Sequence, residues 1–311
     1  DGRILRGEKT AGIDLGVVLG HEISGFVVEV GHGVAGFSEG DLVSVMPTVP
    51  CLACYYCKAG AEHLCTRSTL FGYALDGGLA DYVRIPAQAM ERGGVFRAES
   101  NVSAVEAALA EPLGCVLNGA ANYQPDAGDT VVVIGAGPIG LLHTQVNRLY
   151  GASQVIVSDP AGERRALAEK LGATHTVDPT AQDLGEFVRG LTDGRGADVA
   201  VICIGHNALV QQAFQIVRKR GRVNAFAGFP KGALSNMDPN LIHYGELVVT
   251  GASNSGRASH EKALRLISEG AIDVKSLHTH TFELDDVVEG IEFAVSGSGV
   301  KVAIVPEIAA E

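Results

Sequence analysis

The chain has 311 residues, which at a prior of about 150 residues per domain points to two domains. Apolar residues make up 46 % and charged residues 19 %, enough for a sizeable core and too apolar for wholesale disorder. Twenty-four basic against 36 acidic side chains leave a net charge of −12, with no electrostatic footprint for nucleic acid and no long uncharged apolar stretch for a membrane.

No secretory pattern opens the chain, so the expected compartment is the cytoplasm. The 40 glycines are in excess of the usual ~7 % but follow no G-X-Y period, so they serve turns and close backbone approaches. Neither an internal repeat nor a low-complexity linker is present.

Residues 1–100 read as β-rich. Strands are expected at Phe26–Val30, Leu42–Val45 and Leu79–Ile85, with Gly31, Gly33, Gly36 and Gly40 marking turns. Residues 47–75 carry cysteines and little periodicity. The pattern then changes. Val131–Ile134 is a continuously apolar run, the mark of a buried parallel strand. Ile139, Leu142, Val146 and Leu149 follow at helical spacing. Strands at Gln154–Ser158, Val199–Cys203, Arg222–Phe226 and Leu247–Thr250 continue the series, with a helix over Ala161–Leu171. Alternating strands and helices predict a doubly wound parallel sheet of the α/β class. Ser259–Glu269 and Asp285–Ser296 read as helices and Val300–Val305 as a closing strand. The acids from Glu283 to Asp286 are expected to cap the helix that follows.

Gly135-Ala136-Gly137-Pro138-Ile139-Gly140 is G-x-G-x-x-G between an apolar strand and an amphipathic helix, the setting of a dinucleotide loop. Gly135 permits the tight turn, Gly137 admits a pyrophosphate, and Gly140 lets helix and strand pack closely. The helix N-terminus offers N–H groups and partial positive charge to phosphates. Asp159 ends the second strand, nineteen residues after Gly140. Its carboxylate suits ribose hydroxyls and repels a 2′-phosphate, which favours NAD over NADP. Arg164 and Arg165 stand close enough to flank an adenine or to tolerate a phosphate. The alternative is a glycine-rich turn beside a surface aspartate.

Cys51, Cys54, Cys57 and Cys65 place four thiols within fifteen residues. Zinc takes four thiolates tetrahedrally in a closed structural site. An iron–sulfur cluster, a disulfide pair and redox thiols are the alternatives. Cys115 and Cys203 lie in apolar surroundings and read as packing residues. His278 and His280 share a strand face and read as structural rather than as a metal pair. His21 and Glu22 follow Gly20, and Glu111 sits in the apolar segment Ala110–Leu113, where a carboxylate is costly unless paired or bound to metal.

Gly20-His21-Glu22, the four cysteines, Glu111-Pro112, Gly77-Gly78-Leu79-Ala80-Asp81-Tyr82, the G-x-G-x-x-G loop and Lys301-Val302-Ala303-Ile304-Val305-Pro306 occur here in one order. In this the chain resembles the zinc-dependent medium-chain alcohol dehydrogenases, nearest to the polyol (sorbitol-like) and threonine dehydrogenase branch, which carries Glu-Pro where simple-alcohol enzymes carry a Cys. The resemblance implies a GroES-like β-rich catalytic domain, 1–115 and 257–311, around a Rossmann NAD-binding domain, 116–256. It implies a structural zinc on Cys51, Cys54, Cys57 and Cys65, and a catalytic zinc on His21 with Glu22 and Glu111. The family's first catalytic ligand is a Cys in Cys-Gly-Ser/Thr-Asp. Asp1 matches the last residue of that motif, so the Cys is expected to precede residue 1. Adjacent residues on a strand face opposite ways, so Glu111 is expected as the direct ligand and Glu22 beside it, unless the backbone turns there. The implied reaction is hydride transfer between a secondary alcohol or its ketone and NAD, in a homodimer or homotetramer. A threonine-type amino-alcohol dehydrogenase, a zinc-independent NAD(P)H reductase and a non-catalytic nucleotide-binding protein are the alternatives.

Overall fold

The structure is a computed structural model and describes residues 1–232 and 234–307. The chain divides into two compact units: Asp1–Cys115 with the chain from Asn254 onward, and Val116–Ser253.

The first unit opens with a short helix, α1 (Gly2–Leu5). Strands β1 (Ile23–Phe26) and β2 (Leu42–Val45) pair antiparallel, as do β3 (Thr48–Val49) and β4 (Thr69–Leu70). Helix α2 (Tyr55–Lys58) lies in the cysteine segment and α3 (Ala87–Glu91) precedes β5 (Val95–Arg97), which completes a sheet of order β1-β2-β5. Ile23, Val45, Val49, Phe71 and Ala89 form the core here. Helix α4 (Ala104–Ala108) starts in a capping box, Ser103 with Glu106, that satisfies two otherwise orphaned N–H groups. Helix α5 (Ala110–Tyr123) follows at once, begins in this unit and ends in the next.

The second unit is a six-stranded parallel sheet: β6 (Thr130–Ile134), β7 (Gln154–Ser158), β8 (His175–Val177), β9 (Ala197–Ile202), β10 (Val217–Ala225) and β11 (Val248–Gly251). Helices α6 (Pro138–Leu149), α7 (Gly162–Lys170), α8 (Leu184–Leu191), α9 (Ala208–Ile216) and α10 (Pro239–Gly245) alternate with them. Every residue of β6 is buried, because helices cover both faces of a doubly wound sheet. The order β11-β10-β9-β6-β7-β8 reverses direction between β9 and β6, and ligands of such sheets bind at that switch point.

The chain returns to the first unit with α11 (Arg257–Ser268), β12 (His278–Glu283), α12 (Val287–Ser296) and β13 (Lys301–Val305), which pairs in parallel with β12.

Three expectations need correction. The strand expected at Phe26–Val30 is Ile23–Phe26: Val27 still bonds to Asp41 and Gly40, and the chain then leaves the ladder. Leu79–Ile85 is not a strand. Gly77, Gly78 and Leu79 spend their N–H groups on the carbonyls of Val18, Gly20 and Leu19, in a loop that buttresses Gly20. The acids Glu283–Asp286 form a tight turn, and Asp286 makes no side-chain cap to α12.

Candidate functional site

Cys51, Cys54, Cys57 and Cys65 converge with all four sulfurs within 4.8 Å of one another. The cysteines are free. The Cys54 and Cys57 sulfurs lie 3.5 Å apart, far beyond the ~2.05 Å of a disulfide. Backbone N–H groups point at the sulfurs: Cys51 to Cys65 at 3.2 Å, Cys54 to Cys51 at 3.3 Å and Arg67 to Cys65 at 3.4 Å. The Arg67 guanidinium reaches Cys51 at 3.4 Å. Such donors favour thiolate. The N–H of Ala53 does most to lower the Cys51 pKa to about 6, and those of Cys57 and Thr66 lower Cys54 to about 7. Burial and the neighbouring thiols push Cys57 up to about 12, a conflict that a cation among four sulfurs would relieve. Glu62 anchors this lobe. Its carboxylate accepts from the Arg257 backbone N–H at 2.5 Å and from Arg257 Nε at 3.1 Å, at the start of α11.

His21, Glu22 and Glu111 form a second group, again with donor atoms within 4.8 Å of one another. Adjacent His21 and Glu22 reach the same point because the backbone turns. Gly20 has φ +96°, a Cβ there would strike the backbone of Leu79, and β1 begins only at Ile23. The opposite-faces expectation for Glu22 therefore fails, since these two residues are not on a strand. His21 Nδ1 is buried without a hydrogen bond, and Asp1 Oδ1, 3.4 Å away, lies outside bonding geometry. An orphaned imidazole nitrogen beside two carboxylates is the donor set that divalent zinc satisfies. The Tyr73 ring meets His21 edge-on at 5.7 Å.

The two carboxylates differ. Glu22 forms an ion pair with Lys301. Burial disfavours its charge, but Lys301 and then His21 outweigh that and hold its pKa below the usual range. Glu111, in the first turn of α5, is 8 % exposed. Burial, reinforced by the charge of Glu22, raises its pKa. A hydrogen bond from Cys115 Sγ reaches its Oε1 at 3.4 Å.

In the second unit, Gly135 turns at φ +104° and Pro138 opens α6 after Gly137. A Cβ at Gly140 would fall on the Gly135 carbonyl, so only glycine closes the strand onto the helix there. A Cβ at Gly137 would meet nothing within 4 Å, which leaves open space beside the turn. Ile139 follows in the first helical turn. Asp159 is 3 % exposed, and its two oxygens accept from the N–H groups of Ala136, at 2.8 Å, and Ala161, at 2.9 Å. The carboxylate is thus locked against the glycine loop. Arg165 donates to the Asp159 carbonyl at 2.6 Å and pairs with Asp178 at 3.2 Å, while Arg164 lies half-buried in the first turn of α7.

Two family models match: an alcohol dehydrogenase GroES-like domain over residues 1–92, and a zinc-binding dehydrogenase domain over residues 138–269. L-threonine 3-dehydrogenase of Pyrococcus furiosus is 38 % identical over 92 % of this chain and 80 % of its own length. This chain belongs to the zinc-dependent medium-chain alcohol dehydrogenase family. Erythritol/L-threitol dehydrogenase of Mycolicibacterium smegmatis is 35 % identical over 93 % of the chain and 80 % of its own length. A zinc-binding dehydrogenase from Sinorhizobium meliloti, solved bound to NADP, superposes with a TM-score of 0.91 at 34 % identity, covering 98 % of this chain and 87 % of that one. The dehydrogenase fold is therefore a GroES-like unit with a Rossmann sheet. Among the described residues no helix is long and apolar enough to cross a membrane.

Sequence reasoning missed three partners in this dehydrogenase. Lys301 was seen only as part of a closing motif, with nothing to say that it reaches Glu22. Cys115 was read as packing, although it stands one turn after Glu111, and helical spacing puts i and i+4 on one face. Glu62 gave no signal at all. His278 turns its Nε2 to the His280 carbonyl at 3.0 Å, so the two histidines do not face a common ion. Burial raises the pKa of Cys203 well above its ordinary value, as suits a packing thiol.

Proposed function

We propose that the chain oxidises a secondary alcohol of a polyol or sugar alcohol to the ketone, reversibly, with NAD. The observation that carries this is the convergence of an orphaned His21 nitrogen with Glu22 and Glu111. Zinc held there would supply a Lewis acid that draws the pKa of the alcohol oxygen toward neutrality. His21 and Glu111 would hold the ion, while Lys301 keeps Glu22 beside it. Cys51, Cys54, Cys57 and Cys65 would hold a second zinc, a structural one, on four thiolates.

The chain's other residues bind and orient. Backbone N–H groups at the start of α6, freed by Gly135, Gly137 and Gly140, take the pyrophosphate, with Pro138 and Ile139 shaping the first turn. Asp159 retains further lone pairs for the ribose hydroxyls, and its fixed charge opposes a 2′-phosphate; Arg164 flanks the adenine. In the net reaction the carbinol carbon gives a hydride to the nicotinamide and the hydroxyl gives a proton to solvent. We place the enzyme in the cytoplasm as a homodimer or homotetramer. The edge strand β11 supports this, because it leaves Val248 and Val249 half-exposed beside an open ladder.

A threonine-type amino-alcohol dehydrogenase is the second reading, favoured by the 38 % identical relative. Steady-state turnover on erythritol, longer polyols and L-threonine, with NAD or NADP, separates the two. Polyol oxidation that is lost on chelation and restored by zinc is expected. Chelator-insensitive reduction of enones or quinones would replace the proposal with a zinc-independent reductase. Nucleotide binding without turnover on any alcohol would make the chain a non-catalytic binding protein.

A further inference from the structure

The carboxylate of Glu111 accepts a hydrogen bond from within its own helix. Cys115 Sγ donates to Glu111 Oε1 at 3.4 Å. Behind it, the Ser255 side chain packs against Gly114, the residue before Cys115. Glu111 is 8 % exposed and Cys115 is half-buried, so water has little access to the carboxylate. Helical spacing explains half of the arrangement: Cys115 lies four residues after Glu111 on α5, and its side chain leans back over the preceding turn. Gly114 explains the other half. A Cβ there would lie 3.0 Å from Ser255 Oγ and 3.4 Å from the His260 backbone, so glycine leaves the space that lets Ser255 approach.

From this we infer that Cys115 is a positioning residue for the metal centre: its S–H occupies Oε1 and so fixes the rotation of the Glu111 carboxylate, leaving Oε2 for the ion. The inference rests on Glu111 being a zinc-holding carboxylate. A carboxylate on two soft torsions has many orientations. One directed donor removes most of them before the ion arrives, and such outer partners typically alter metal affinity about 10- to 100-fold. The thiol is a weak donor, which leaves the carboxylate its negative charge for the cation.

Three single variants of the intact chain test this: Cys115→Ser, Cys115→Val and Glu111→Ala. Each is loaded with zinc and titrated with a competing chelator, and the cobalt-substituted forms are compared by their visible d–d bands. Cys115→Val is expected to weaken the His21 centre about 10-fold or more and to shift the cobalt bands, with the four-cysteine zinc retained. Cys115→Ser keeps a donor and is expected to restore most of the affinity, which a mere packing role would not predict. If Cys115→Val keeps full affinity and unchanged bands while Glu111→Ala loses the metal, the inference is overturned and the zinc assignment stands. If Glu111→Ala keeps the metal, the assignment beneath it has failed instead.

Discussion

Lys301, on the last strand, forms an ion pair with Glu22, which follows the positive-φ turn at Gly20. The pair divides the labour between two carboxylates that stand within reach of one ion. Glu22 already has a cation, whereas Glu111 accepts its side-chain hydrogen bond from a thiol. On removal of each side chain, Glu111→Ala should lose the zinc of the His21 centre while the cysteine lobe stays loaded. Glu22→Ala should retain more metal yet lose turnover. Zinc content by elemental analysis after dialysis checks this, and the reverse order of loss would overturn the assignment.

Asp159→Ala should move the cofactor preference toward NADP. A charge-assisted hydrogen bond is worth roughly 1.5–3 kcal/mol, so the ratio of kcat/KM for NAD over NADP should fall about 10- to 100-fold. Equal efficiency with both cofactors in the unmutated protein would sink the prediction. Because the carboxylate also ties Ala136 to Ala161, the same variant should lose some thermal stability.

Cys54→Ser should remove one zinc per chain and lower the melting temperature. The lobe's other sulfurs then face one another without a cation, and few aliphatics are there to hold the loop. A variant of unchanged zinc content and stability would contradict a structural metal site.

Two buried histidines make the fold acid-sensitive. Burial lowers the pKa of His143 to about 3 and that of His260 to about 4. Both folded values lie below an unfolded value near 6.5, so the unfolded chain binds more protons in between and stability falls as pH drops through that window. His143 bonds to Tyr123 at 3.1 Å through Nδ1 and faces the Phe226 ring at 4.6 Å. His143→Gln should flatten the fall in urea midpoint between about pH 6.5 and about pH 4. An unchanged slope would show that other groups carry the acid sensitivity.

Val249→Lys on the edge strand β11 should weaken self-association, since a charge on an open edge opposes pairing with another strand. Light scattering at working concentration reads the result. An unmutated chain that is monomeric throughout would remove the premise.

The parallel sheet was legible because its central strands, β6 and β9, are largely apolar. Val131–Ile134 and Gln154–Ser158 needed little context. The glycine loop and the cysteine spacing were legible because their chemistry is local. Leu79–Ile85 is mostly apolar and so resembles a strand, while the Leu79 N–H serves the distant Leu19 carbonyl. The turn that brings Glu22 beside His21 depends on what Gly20 packs against, namely Leu79, almost sixty residues away in sequence. Pairings such as Glu22 with Lys301 link the two ends of the chain, and no local pattern encodes them.

The hydrogen bond from Arg257 to Glu62 spans 195 residues of sequence. A helix start needs partners for its first N–H groups, and Gly256 at that position has no side chain to offer. The partner comes from the cysteine lobe, which leaves the ribosome long before α11 exists. The late helix is thus tied to an early segment through a single carboxylate. Disorder in the lobe would therefore be felt at the start of α11, which would lose the carboxylate that takes up its first N–H group.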